Sequence, residues 1–121
     1  MENNRKVLCL YHSQYYDLAT KISTNILDVA NLSDILEQSA GYTDIVFLGF
    51  AISADIMEKL YMDNKKQILC IDLYDNNHPL LSLAITKANR ALLNYTGKWA
   101  ILLPDYASIA KRIGDFTDDC L

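Results

Sequence analysis

Short unbroken apolar runs alternate along this chain with longer stretches whose apolar residues recur every three or four positions. The runs are Val7 to Tyr11 (VLCLY), Asp44 to Phe50 (DIVFLGF), Gln67 to Leu73 (QILCIDL) and Trp99 to Leu103 (WAILL). Runs of this length without polar alternation fit strands buried on both faces. Between them, Leu18, Ile22, Ile26 and Val29 share helical spacing and predict a helix over Tyr15 to Val29. Ser33 or Asp34 caps a short helix over Ile35 to Ala40, which Gly41 closes. Ser53 starts a third helix with Ile56, Met57, Leu60 and Tyr61 on its apolar face, ended by Asn64-Lys65-Lys66. The longest predicted helix is Leu80 to Tyr95, with Leu81, Ile85, Ala88 and Leu92 on one side and Gly97 beyond it. A closing helix covers Ala107 to Ile113, and Gly114 to Leu121 reads as an acidic tail.

Buried strands alternating with amphipathic helices imply parallel pairing through right-handed crossovers. The expected fold is a three-layer α/β domain. It has a mostly parallel sheet of about four or five strands, Rossmann/flavodoxin-like, flanked by helices. At 121 residues the chain fits one domain, residues 1–121. With 51% apolar residues it needs neither a disulfide nor a metal to fold.

Charge and cysteine usage narrow the class. A net charge of −4 gains nothing from counterion release on a phosphate backbone, which argues against general nucleic-acid binding. Cys9 and Cys70 fall inside apolar runs and read as reduced core residues, while Cys120 stands beside the C-terminus. No apolar run approaches the ~18 residues of a membrane span, and the apolar stretch after MENNRK is too short for a signal peptide. The expected location is the cytoplasm, with no membrane partner.

In parallel α/β sheets ligands bind outside the C-terminal ends of the strands. The segments that reach this edge are His12 to Asp17, Gly49 to Ser53, Asp72 to His78, and Leu103 to Asp105. The residues expected to line a crevice there are His12, Gln14, Tyr16, Gly49, Asp72, Tyr74 and His78. Asp72 ends an apolar strand and is the most notable of them. A role in loop capping or backbone hydrogen bonding stands ahead of a ligand role for it, and the same holds for His12. Tyr11, Tyr15, Tyr16, Tyr74 and Tyr106 converge on the same edge, as a binding rim or as ordinary packing.

Several chemistries lack their residues. The first edge, HSQYYD, has no glycine with which to cradle a phosphate, and neither a P-loop nor a dinucleotide fingerprint occurs. Two histidines in separate loops and three scattered cysteines do not make a structural zinc site. A Ser-His-Asp set drawn from Ser13, His12 or His78, and Asp72 has no nucleophile-elbow spacing.

The order of these edge motifs resembles the catalytic domain of the DHH phosphoesterase superfamily. His12-Ser13-Gln14-Tyr15-Tyr16-Asp17 is similar to its first motif, Gly49-Phe50-Ala51 to its second, and Asp72-Leu73-Tyr74 to its Asp-His-His. Arg112 to Thr117 faintly resembles the segment that closes that domain. The resemblance implies a dinuclear Mn²⁺ or Mg²⁺ site that activates water against a phosphoester. The departures imply the opposite for this chain. Gln14 and Tyr16 stand in place of metal-binding Asp, Gly49 in place of the bridging Asp, and Leu73 and Tyr74 in place of both His. One Asp does not offset two dications. No residues remain for the family's second, substrate-binding domain.

DIVFLGF is also similar to the strand that carries the phosphoacceptor Asp in response-regulator receiver domains, but Gly49 holds that position. Tyr11-His12 replaces the paired acids, and Pro104-Asp105 stands where a Lys is expected.

The expected function is therefore that of a non-catalytic domain working through a protein partner or a second copy of itself. An inhibitor, decoy or assembly subunit of the kind phages encode fits the size. No cofactor and no metal are expected. Two alternatives remain. One is a nucleotide- or phosphate-binding domain that uses the remnant crevice. The other is a residual metal-dependent phosphoesterase.

Overall fold

A computed structural model describes residues 6–22, 25–31, 33–49, 53–74, 76–90, 99–102 and 105–119. Five strands form one parallel sheet: β1 (Val7–Tyr11), β2 (Ile26–Asp28), β3 (Asp44–Leu48), β4 (Gln67–Leu73) and β5 (Trp99–Leu102). Their order is β2-β1-β3-β4-β5, that of flavodoxin-like sheets, so the chain reverses direction across the sheet between β1 and β3. The register pairs Cys9 with Val46, Val46 with Leu69, and Ile71 with Ala100. The expected three-layer α/β architecture is the architecture found.

Alternation along the strands divides the core in two. Leu8, Leu10, Ile45, Phe47, Ile68 and Cys70 face one side, under Ile35 of α2 (Ile35–Gln38) and under Met57 and Leu60. These last two belong to α3 (Ala54–Met57) and to the π-helical stretch Glu58–Asp63 that continues it. Cys9, Tyr11, Val46, Leu48, Leu69, Ile71 and Leu73 face the other side. Ala19 of α1 (Tyr16–Ile22) and Ile109 of α5 (Tyr106–Asp119) cover them. The fourth helix, α4 (Pro79–Arg90), packs on β4.

Local chemistry fixes the helix ends. Asp34 Oδ1 accepts from Leu36 N at 3.1 Å and Glu37 N at 3.2 Å, so Asp34 is the cap of α2. Lys66 Nζ closes the other end of that turn, donating to the carbonyls of Ser39 (3.1 Å) and Tyr42 (2.6 Å). Ser53 caps α3 through Ile56 N, as its sequence position predicts.

Three expectations need correction. The predicted helix Tyr15 to Val29 ends at Ile22, and Ile26–Asp28 is a strand instead. Leu18, Ile22, Ile26 and Val29 do satisfy a helical period. However, Ile26 packs into one half of the core and Leu27 into the other, which is the alternation of a strand. The closing helix does not stop at Ile113. It continues through Gly114 to Asp119, started by Asp105, whose Oδ2 accepts from Ser108 N at 3.1 Å. Gly114 costs the helix about 1 kcal/mol, which the docking of Ile109 and Ile113 offsets.

The third correction concerns α4. Its predicted apolar face was Leu81, Ile85, Ala88 and Leu92. Leu92 lies outside the described residues, and Leu81 and Ala88 are exposed. The inward positions are Ser82 and Asn89, both buried, with Ile85 and Thr86 half-buried.

Candidate functional site

The C-terminal edge of the sheet is built by backbone bonds that extend the ladders past the strands. His12 N donates to Leu48 O at 3.3 Å, Gly49 N to Ile71 O at 2.9 Å, and Tyr74 N to Leu102 O at 2.9 Å. The first residue after each strand is thereby held in place, and the side chains are left to fill the edge.

At the β1–β3 reversal, His12 opens a tight turn (Ser13–Tyr15) that leads into α1. Its Nδ1 accepts from Gln14 N at 3.4 Å, and its carbonyl accepts from Tyr15 N at 2.8 Å. The turn brings Tyr15 over Gly49. Gly49 has φ +78°, a conformation that favours glycine. A Cβ built there would stand 2.6 Å from Tyr15 Cε2 and 3.4 Å from Leu73 Cδ1. The space that a missing side chain opens at Gly49 is therefore filled by the Tyr15 ring. Tyr16 points outward, with its ring centroid 6.0 Å from that of Tyr11. Burial pushes the Tyr11 phenol pKa up, and the neighbouring Asp28 carboxylate adds to the shift.

Asp72 lies on the opposite side of the sheet from Tyr15. It follows Ile68 and Cys70 in the alternation of β4 and is buried under α4. Its Oδ1 accepts from Asn89 Nδ2 at 2.6 Å. Burial pushes the Cys70 thiol up to about 12, with the Asp72 carboxylate adding to the shift. Burial alone likewise pushes Cys9 up to about 12. Both are inert core thiols, as their positions in apolar runs imply.

The seven expected crevice residues thus divide. His12, Gln14, Tyr16 and Gly49 meet around the β1–β3 reversal, with Tyr15 among them. Asp72 is turned away beneath α4. Tyr74 is half-buried after β4, and His78 is exposed ahead of α4, where its carbonyl accepts from Ser82 N. Two residues that shape this edge were not singled out for those roles. Tyr15 was one of several edge tyrosines, and Asn89 lay inside a helix read as apolar. The signal for Asn89 was present: Ser82, Thr86 and Asn89 share helical spacing, so α4 has a polar stripe as well as a leucine one.

The resembled dinuclear metal site does not fit these side chains. The one retained acid, Asp72, is engaged by Asn89 on the far side of the sheet, and His12 Nδ1 caps its own turn. Among the described residues, no three His, Cys, Asp or Glu side chains gather as a metal ion requires. An open groove of about 500 Å³ lies between the first turns of α2 and α3. Asp34, Leu36, Asp55, Ile56 and Lys59 line it, and none of the expected crevice residues does. No helix among the described residues is long and apolar enough to cross a membrane.

No protein-family model matches the sequence, and comparison with curated proteins and with solved structures gives no match.

Proposed function

We propose that this chain is a non-catalytic α/β domain, DHH-phosphoesterase-like in its edge motifs, that acts through contact with protein. One observation carries the reading. Asp72, the single retained acid of the resembled metal site, serves as a buried acceptor that fastens α4 to β4 through Asn89. An acid used this way is not free to coordinate a cation or to orient a water. The Tyr15 ring on Gly49 supports the same reading, because a nucleotide or phosphate entering at the β1–β3 reversal must first displace it.

The test is a thermal melt of the full chain against Mn²⁺, Mg²⁺, inorganic phosphate and a panel of mono-, di- and cyclic nucleotides. A ligand that binds only the folded state raises the melting temperature. The expected result is a flat panel. A rise of several degrees with one nucleotide or with phosphate, lost in Tyr15→Trp, would replace the proposal with the ligand-binding alternative. A rise with Mn²⁺, together with hydrolysis of a chromogenic phosphodiester that Asp72→Ala abolishes, would replace it with the phosphoesterase alternative.

A further inference from the structure

The sheet has two outer edges, and they differ. β2 is three residues long and ends on Asp28, whose Oδ1 accepts from Ala30 N at 2.9 Å. A short strand that ends on a charge is one way proteins blunt an edge against pairing. β5 is WAIL, with neither a charge nor a proline. Among the described residues, β4 is the one strand that pairs with it. That pairing directs its backbone. Tyr74 N donates to Leu102 O at 2.9 Å, so the N–H and C=O of Leu102 point to β4. Alternation then turns the N–H and C=O of Ile101 outward, away from the sheet.

A groove lies beside this edge. α5 turns Ile109 and Ile113 to the core and has α1 on one side of it. Its other flank, Ser108, Lys111, Arg112 and Asp115, encloses with Leu102 a volume of about 260 Å³. Most of its polar groups have partners. Ser108 Oγ donates to Asp105 Oδ2 at 2.9 Å, and Lys111 Nζ lies 3.4 Å from Asp115 Oδ2. Arg112 is different. It is half-buried in the groove, and among the described residues no carboxylate or carbonyl takes its guanidinium. A planar fork of five N–H donors suits a carboxylate, which it binds through two parallel hydrogen bonds.

We propose that this edge takes up an extended acidic segment of a partner protein, which adds to the sheet beside β5 and sets an Asp or Glu side chain on Arg112. The inference rests on the protein-contact reading above and names the partner's chemistry. Main-chain bonds to Ile101 supply binding, and side chains in the groove supply selectivity. Lys111 and Asp115 offset one another, so Arg112 makes the groove positive although the chain carries a net −4. At the opposite edge the Asp28 carboxylate repels the same segment. One short segment on a four-residue strand is a small contact, of the transient class.

Fluorescence anisotropy on the full chain tests this. The probes are short labelled peptides of threonine and valine, capped at both ends, with one glutamate placed at each position in turn. The expected result is saturable binding by at least one of them. Replacing its glutamate with glutamine, or Arg112→Gln in the chain, should weaken that binding by roughly tenfold or more. Ile101→Pro removes the outward N–H, spares the ladder to β4 and is expected to abolish binding. An unchanged thermal melt shows that each variant is folded. Amide exchange of the wild-type chain gives a readout that needs no variant. The Ile101 N–H is expected to slow when the peptide is bound. Failure of every peptide to bind overturns the inference, as does binding indifferent to Arg112→Gln or an Ile101 amide that exchanges at the same rate in the complex. Such failures leave the protein-contact reading in place, because that reading falls only to a ligand response in the melt panel.

Discussion

Two helices on the same side of the sheet are held there by different forces. The α3 region buries Met57 and Leu60 completely, with Ile56 and Tyr61 packed beside them. Its neighbour α4 has more leucine and buries less of it, presenting Ser82 and Asn89 to β4 instead. Burying one large aliphatic side chain stabilises by about 1.5–3 kcal/mol, so α3 is secured by apolar area. A hydrogen bond to a charged group contributes about 1.5–3 kcal/mol, and that bond decides which side of α4 faces in. The difference teaches that hydrophobicity along a helix does not by itself say which face is the core face. In α4 the inward face is polar, Ser82 and Asn89, and a buried acceptor on the strand beneath it, Asp72, takes the Asn89 amide.

The largest effect that would break this comparison lies in α3. Leu60→Ala is expected to cost about 2–5 kcal/mol in urea unfolding, as a cavity in a closed core does. A cost under 1 kcal/mol would mean that α3 is no better packed than α4. Next comes Asp72→Ala, which removes the Asn89 amide's acceptor on β4 and is expected to cost about 1–3 kcal/mol. The same variant should speed native-state labelling of Cys70, which stands two residues before Asp72 on the same side of β4. A faster opening of α4 would expose that thiol, and labelling at the wild-type rate would show that the bond does not hold the helix.

The smallest effect belongs to the α4 surface. Leu83→Glu should change stability by no more than about 0.5 kcal/mol. A loss comparable to that of Leu60→Ala would place Leu83 in the core and refute the reversed orientation.

A pH series sharpens the picture of the core itself. The thiols of Cys9 and Cys70 are raised from 9.0 to about 12 in the folded state. Above pH 9 the unfolded chain releases protons that the folded chain retains. Stability is therefore full below pH 9 and falls as pH rises from there toward 12. Replacing both cysteines with Ala should flatten that part of the alkaline limb.

Much of the fold was legible because β1, β3 and β4 are buried on both faces and, like β5, appear as unbroken apolar runs. The cap Ser53 was legible too, and Asp34 as one of two candidates with Ser33, since such side chains act on the next turn and need no tertiary context. β2 was not. It is three residues long, and Ile26 and Val29 fit a helical period as well as Ile26 and Leu27 fit an alternating one. Only the presence of core on both sides decides between the two. At the edge, the sequence placed His12, Gly49 and Asp72 next to strand ends but said nothing of the direction each takes. Asp72 turns to Asn89, and Gly49 receives Tyr15. These are pairings across 17 and 34 residues, settled by the sheet and by no local pattern.

The most direct test of the account is native-state amide exchange along α4 in the wild-type chain and in Asp72→Ala. The account predicts exchange over Pro79–Arg90 faster by roughly tenfold or more in the variant, with the α3 region unchanged. Equal exchange of α4 in the two chains would contradict it.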